Sequence, residues 1–188
     1  IGLGSGVDAL VNNNIITAWT AEGCTMLWTT GTPHGYMRIY NNTFVGGSSN
    51  NKSFKFIYIN NRVEIRNNIF INQNTDNDSY CIQQELSSLY QVYNNLFYSS
   101  GDYFYRHTNT PRPMTDGVIS TVASAGNIDY DGDVNDLFED FAGYDYHLKA
   151  TALLAVRTTG LDLSSYLTTD KEGNARTVGW SIGAYEKD

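Results

Sequence analysis

The chain has 188 residues, 41% of them apolar, enough for one domain with its own core. It carries 12 Lys and Arg against 20 Asp and Glu, and a net charge of -8 argues against nucleic acid as a partner. Every apolar run is short, so no membrane-spanning helix is expected.

Ile1-Gly2-Leu3-Gly4-Ser5-Gly6 reads as a short strand that opens a repeat unit. The chain starts at Ile1 without a signal peptide, so a processed protein or a fragment cut between two units is expected. Stacked strands without a cap expose an open edge. An upstream part of the same protein or another chain is therefore expected to cover the N-terminal edge.

From residue 10 onward one phrase recurs, an Asn pair flanked by apolar residues. The copies are Leu10-Val11-Asn12-Asn13-Asn14-Ile15-Ile16, Ile39-Tyr40-Asn41-Asn42-Thr43-Phe44-Val45, Ile65-Arg66-Asn67-Asn68-Ile69-Phe70-Ile71 and Val92-Tyr93-Asn94-Asn95-Leu96-Phe97-Tyr98. With the second Asn placed at 13, 42, 68 and 95, the intervals are 29, 26 and 27 residues. A period in this range marks one structural unit repeated along an axis. Each pair follows an alternating run such as Val63-Glu64-Ile65-Arg66, and alternation marks strands while Asn pairs mark bends. Further strand-like runs lie at residues 25–30, 54–59, 80–85 and 103–108.

Each period thus holds about three short strands and no helix-length pattern. Leucine-rich repeats have a similar period, but their Leu signature is absent. The pattern predicts an all-β chain: a single-stranded parallel β-helix of about four to five coils over residues 1–130, with like positions stacked at ~4.8 Å. Stacked second Asn residues would point inward at a bend and bond the next coil's backbone, for which Asn supplies both donor and acceptor. Ile15, Phe44, Phe70 and Phe97 would form a second internal stack. Cys24 and Cys81 fall two coils apart, roughly 9–10 Å, beyond the ~7 Å limit for a disulfide, so two free and mostly buried thiols are expected.

After the last coil, Asp129-Tyr130-Asp131-Gly132-Asp133-Val134-Asn135-Asp136 offers carboxylates at alternate positions. Asp129, Asp131 and Asp133 make a candidate Ca²⁺ site, against a hydrated turn as the alternative. It is not an EF-hand, because Gly132 stands at position 4 rather than 6. Residues 131–188 are expected to form an irregular C-terminal cap of the same domain.

Four segments of this tail carry a second pattern: Leu137-Phe138-Glu139-Asp140, Asp145-Tyr146-His147-Leu148, Asp170-Lys171-Glu172-Gly173-Asn174-Ala175-Arg176 and Ser181-Ile182-Gly183-Ala184-Tyr185-Glu186. They resemble the closing segment of many secreted bacterial β-helix proteins. With the Asn repeats, the chain resembles the right-handed parallel β-helix proteins of the pectate-lyase-like superfamily. It departs from that pattern at Asp136, where Pro is usual, and at Thr151-Ala152, where Ser-Pro is usual. The resemblance implies a secreted, surface or periplasmic bacterial protein that handles polysaccharide. A polysaccharide lyase is favoured over a glycoside hydrolase, and a non-catalytic glycan-binding or adhesive protein is the alternative.

Carbohydrate-active relatives use the outer face of one strand layer as a groove. Here the corresponding row is Trp28, Tyr58, Gln83 and Glu85 with Tyr105 and His107, in which aromatics would stack on sugar faces and amides or carboxylates would bond hydroxyls. Lys52, Lys55, Arg62 and Arg66 lie within 15 residues and, with Arg106, suit the carboxylates of an anionic polyuronate. Neutralising a uronate acidifies its α-proton, so Lys55, Arg62, Arg106 and His107 are the candidate catalytic groups. The alternative is a solvated basic face on an acidic protein. Of the hydrolase signatures only Asn74-Thr75-Asp76 is present, and it reads as a turn. Glu85 and Asp102 are a weaker carboxylate pair for glycoside hydrolysis. His34 reads as a loop residue, and the sequons at Asn41, Asn51 and Asn77 as bare.

Overall fold

The computed structural model describes residues 2–3, 8–18, 25–29, 36–46, 55–59, 62–75, 79–84, 91–99, 105–107, 110–112 and 123–186. Three short strands recur in each repeat unit. The first unit holds β1 (Gly2–Leu3), β2 (Ala9–Asn12) and β3 (Ile15–Ala18); the second holds β4 (Thr25–Thr29), β5 (Tyr36–Tyr40) and β6 (Thr43–Gly46). The third holds β7 (Lys55–Ile59), β8 (Arg62–Arg66) and β9 (Ile69–Asn72); the fourth holds β10 (Tyr80–Gln84), β11 (Gln91–Tyr93) and β12 (Leu96–Ser99). The last holds β13 (Tyr105–His107), β14 (Thr110–Arg112), β15 (Ala123–Ala125) and β16 (Ile128–Asp129).

Like strands of successive units pair in parallel. The first sheet runs β1-β4-β7-β10-β13, the second β2-β5-β8-β11-β15, and the third β3-β6-β9-β12-β16. At the end of the first sheet β14 folds back antiparallel on β13. The domain is all-β with parallel sheets.

The Asn column sits at the bend between second and third sheets, one residue from its predicted place in the first unit. Asn14, not Asn13, lies over Asn42, and the stack continues through Asn68 and Asn95. Successive Nδ2-to-Oδ1 bonds in this stack measure 3.0, 3.0 and 2.9 Å. Asn95 donates to a fifth member, Asn127, at 3.0 Å. Each of the middle side chains ties three units together. Asn68 Nδ2 also reaches back to Ile39 O at 2.8 Å, while its Oδ1 accepts from Asn42 N at 3.0 Å.

The left-handed conformation belongs to the preceding residue. Asn13, Asn41, Asn67 and Asn94 have φ of 54°, 52°, 56° and 52°, and Gly126 takes that place in the last unit at 68°. A Cβ on Gly126 would lie 2.8 Å from Asn94 Oδ1, so Gly serves where the first Asn is missing. The one-residue shift also moves the internal stack: Ile16, not Ile15, pairs with Phe44. The Phe44–Phe70 and Phe70–Phe97 rings lie nearly parallel at 4.8 and 5.0 Å. Leu27, Ile39, Ile57, Ile65 and Ile82 complete the interior between the sheets.

Residues 131–186 form the tail. It contains β17 (Phe138–Asp140), β18 (Asp145–Leu148) and a short helix α1 (Leu154–Thr158), with irregular chain beyond. It lies along the stack rather than across its end. Leu137, Phe138, Tyr146, Val156 and Ile182 pack on Val45, Ile69, Ile71 and Leu96, the outer face of the third sheet. Side chains of the outer Asn column hold its backbone. Asn13 donates to Thr169 O at 2.7 Å, Asn41 to Ser181 O at 3.2 Å, Asn67 to Leu161 O at 2.8 Å, and Asn94 to Thr159 O. Leu161 N answers by donating to Asn67 Oδ1 at 2.8 Å. Arg176 locks the last turn: it pairs with Glu186 at 3.2 Å and donates to Asn13 Oδ1 at 3.0 Å and Gly183 O at 3.0 Å.

Cys81 is a free, buried thiol whose pKa burial pushes upward. Cys24 lies outside the described residues.

Candidate functional site

Alternation in the first sheet sends Leu27, Ile57 and Ile82 into the core and Trp28 and Tyr58 to the outer face. Trp28 is 50% exposed, a large apolar surface for a residue inside a paired strand. Its ring meets Tyr58 edge-on, with centroids 6.0 Å apart at 89°. Thr25 and Lys55 pair in register three residues earlier on the same two strands. Together the four residues line a cleft of about 260 Å³. The cleft therefore joins two aromatic rings, a hydroxyl and an ammonium on a rigid two-strand platform.

The rest of the predicted row divides. Gln83 pairs with Tyr58 but is buried. Arg106, not Tyr105, occupies the next register position after Gln83. Tyr105 pairs with Ile82, in the register column of Ile57 and Leu27. His107 pairs with Gln84, which pairs with Ile59. Glu85, Lys52, Asp102, His34, Asn51 and Asn77 lie outside the described residues.

The described residues of the basic cluster divide between two sheets. Lys55 belongs to the first sheet, whereas Arg62 and Arg66 belong to the second. Arg62 is exposed and pairs in register with Tyr36. Arg66 is engaged by Glu64 at 3.5 Å and by Gln91 Oε1 at 2.6 Å.

Glu64 is the centre of a network that the sequence did not reveal. It accepts from Tyr36 Oη at 3.0 Å and from Tyr40 Oη. Burial first, then the hydrogen bond to Glu64, raises the pKa of both phenols. Arg38 lies over the Tyr36 and Tyr166 rings at 5.0 and 5.2 Å, and Tyr166 meets Tyr40 edge-on at 5.4 Å. The network thus clamps tail residue Tyr166 to the second sheet. The only sequence signal was the polar alternation of Tyr36-Met37-Arg38-Ile39-Tyr40 and Val63-Glu64-Ile65-Arg66, which reads equally as an ordinary strand.

The acidic loop is a turn. Asp133 Oδ1 accepts from Asn135 N at 2.9 Å and Nδ2 at 2.8 Å, capping the 3-10 turn Val134–Asp136; these bonds hold its pKa low. Among the described residues no group of three or more His, Cys, Asp and Glu is placed to hold a metal ion. Of the expected Ca²⁺ group Asp129, Asp131 and Asp133, Asp133 is engaged in this cap through Oδ1. Asn72 Oδ1 accepts from Asn74 N at 3.1 Å, so Asn74-Thr75 does sit in a turn, and Asn41 is buried in the spine.

No helix among the described residues is long and apolar enough to cross a membrane. No family model, curated protein or solved structure matches the chain.

Proposed function

We propose that the three sheets form a right-handed parallel β-helix that binds polysaccharide on the outer face of its first sheet. The handedness follows from the general preference, about 98%, for right-handed connections between parallel strands of one sheet. The observation that carries the function is the cleft of Thr25, Trp28, Lys55 and Tyr58. An exposed indole offers a flat apolar surface to sugar C–H groups, Tyr58 walls it at a right angle, and Lys55 supplies a charge for an acidic sugar. The resemblance to secreted bacterial β-helix proteins points to the cell surface, the periplasm or the medium as the place of action.

Lys55 in the same cleft also supports a second reading, a polysaccharide lyase. There Lys55, as the neutral amine, would take the proton α to a uronate carboxylate while the bond from the β-carbon to the glycosidic oxygen breaks and that oxygen leaves with a proton from solvent. Arg106, at the row's register position two units beyond Tyr58, would neutralise the carboxylate. Calorimetry of the full chain with polygalacturonate and with a neutral glucan tests binding. Trp28→Ala should weaken it about tenfold or more, and Lys55→Ala should weaken only the anionic ligand and lower its salt dependence. Unchanged affinity in both variants would remove the proposal. Growth of unsaturated-product absorbance, abolished by Lys55→Ala, would select the lyase.

A further inference from the structure

A second cavity lies in the tail, beside the segment that packs on Tyr40 of the second sheet. It has a volume of about 480 Å³, within the usual small-ligand range of roughly 300–1,000 Å³. Two tail segments make its walls. One brings Asp162, Ser164 and Thr168; the other brings Thr177, Val178 and Trp180.

The walls are fixed before any ligand arrives. Gly160 N donates to Trp180 O at 2.8 Å, and Arg176 N to Thr168 O at 2.9 Å, so the two segments are tied at two points. A Cβ on Gly160 would sit 2.6 Å from Trp180 O, which makes glycine necessary for this close approach. Leu163, Leu167 and Trp180 pack on Tyr40 and anchor the walls to the sheets. Cavities that owe their shape to satisfied backbone bonds and a packed base are preorganised, which lowers the cost of binding.

The charges that line the cavity are distinctive. The Arg176 guanidinium is committed to Glu186, Asn13 and the Gly183 carbonyl, and its charge is matched by Glu186 at 3.2 Å. Asp162 is exposed and is the other charged residue of the lining. Its Oδ1 takes the Ser164 N–H at 2.8 Å, and the Ser164 side chain bonds the same carboxylate, which keeps it ionised and an acceptor. Three hydroxyl residues, one carboxylate and an apolar rim at the fully exposed Val178 suit a ligand with both C–H faces and hydroxyls.

We infer that this cavity binds a single neutral pyranose unit, at a site separate from the first-sheet cleft and opposite to it in charge preference. Asp162 accepts ligand hydroxyls and repels an acidic sugar. Lys55 in the other cleft does the reverse.

The test is amide chemical-shift mapping on the full chain, titrated with methyl glucoside and with glucuronate. The expected result is saturable shifts at residues 160–168 and 176–180 with methyl glucoside, and binding of glucuronate at least about tenfold weaker there, since like charge is costly. Thr177→Trp should fill the cavity and abolish the saturable shifts, while Trp28→Ala should leave them unchanged. Val178→Trp, from a fully exposed position, serves the same purpose if the first variant misfolds. Asp162→Asn keeps the Ser164 contact and should bring glucuronate close to methyl glucoside. Non-saturating shifts in the wild type, shifts that survive both Trp variants, or equal binding of the two sugars would each overturn the inference. Because Trp28→Ala is carried in parallel, failure here and failure at the first-sheet cleft are told apart.

Discussion

The third sheet is covered on both faces: Phe44, Phe70 and Phe97 pack inside, while Val45, Ile69, Ile71 and Leu96 lie under the tail. The first sheet differs, because Trp28 and Tyr58 stand on its outer face, Trp28 half exposed. The strands of the second and third units report this difference, although β10 of the first sheet is buried at every position. Thr43-Phe44-Val45 and Ile69-Phe70-Ile71 are buried at every position, whereas Ile57-Tyr58-Ile59 alternates. Burial on two sides demands apolar residues throughout a strand, and burial on one side leaves alternate positions free for recognition. The chain covers one face with its own tail, and the other is where a ligand is proposed to dock.

Breaking the tail contact should have the largest effect. Arg176→Met strands Glu186, whose side chain is 4% exposed, and should cost about 3–5 kcal/mol in denaturant unfolding. A loss below about 1 kcal/mol would mean that this ion pair does not hold the tail. The two Asn columns separate the roles of spine and tail. Asn68→Ala leaves buried donors and acceptors of three units unsatisfied and should cost about 1–3 kcal/mol. Asn67→Gly keeps the left-handed backbone and loses only the side-chain bonds, chiefly the reciprocal pair with Leu161, so about 1 kcal/mol is expected. Equal costs for the two variants would deny that the columns do different work.

A pH dependence follows from His147, which stacks on Tyr185 at 3.8 Å between Asp145 and Glu172. Desolvation lowers its pKa, but hydrogen bonds and charge from Asp145 and Glu172 outweigh this and the net shift is upward. Stability from this clasp is fully present below the unfolded value of about 6.5 and is lost as pH rises through the folded pKa. Melting temperature should therefore fall slightly from pH 6 upward, and His147→Gln should flatten that part of the profile. The smallest effect belongs to the first-sheet face: Trp28→Ala and Lys55→Ala should each change stability by under about 0.5 kcal/mol.

The repeat was legible because four Asn pairs share one context. Its exact register was not, because Asn12-Asn13-Asn14 offers two pairs and only backbone geometry chooses between them. The fifth rung was hidden because Gly126 replaces its first Asn. The outer row was readable as far as Trp28 and Tyr58, but Met26-Leu27 and Phe56-Ile57 are buried as adjacent pairs and break the alternation, which brings Thr25 and Lys55 to the same cleft. The division of the basic run was not readable, because residues seven apart, such as Lys55 and Arg62, belong to different sheets. The tail's course along the spine left no periodic trace, since it is held by single side chains of the outer Asn column rather than by strand pairing.

On the proposed reading, the first sheet's outer face takes an acidic polysaccharide while the third sheet's stays closed under the tail. Amide hydrogen exchange with and without oligogalacturonate tests it most directly. Added protection is expected at residues 25–29 and 55–59, with no change at residues 43–46 and 69–72. Protection confined to the third sheet or the tail, with none on the first sheet, would contradict it.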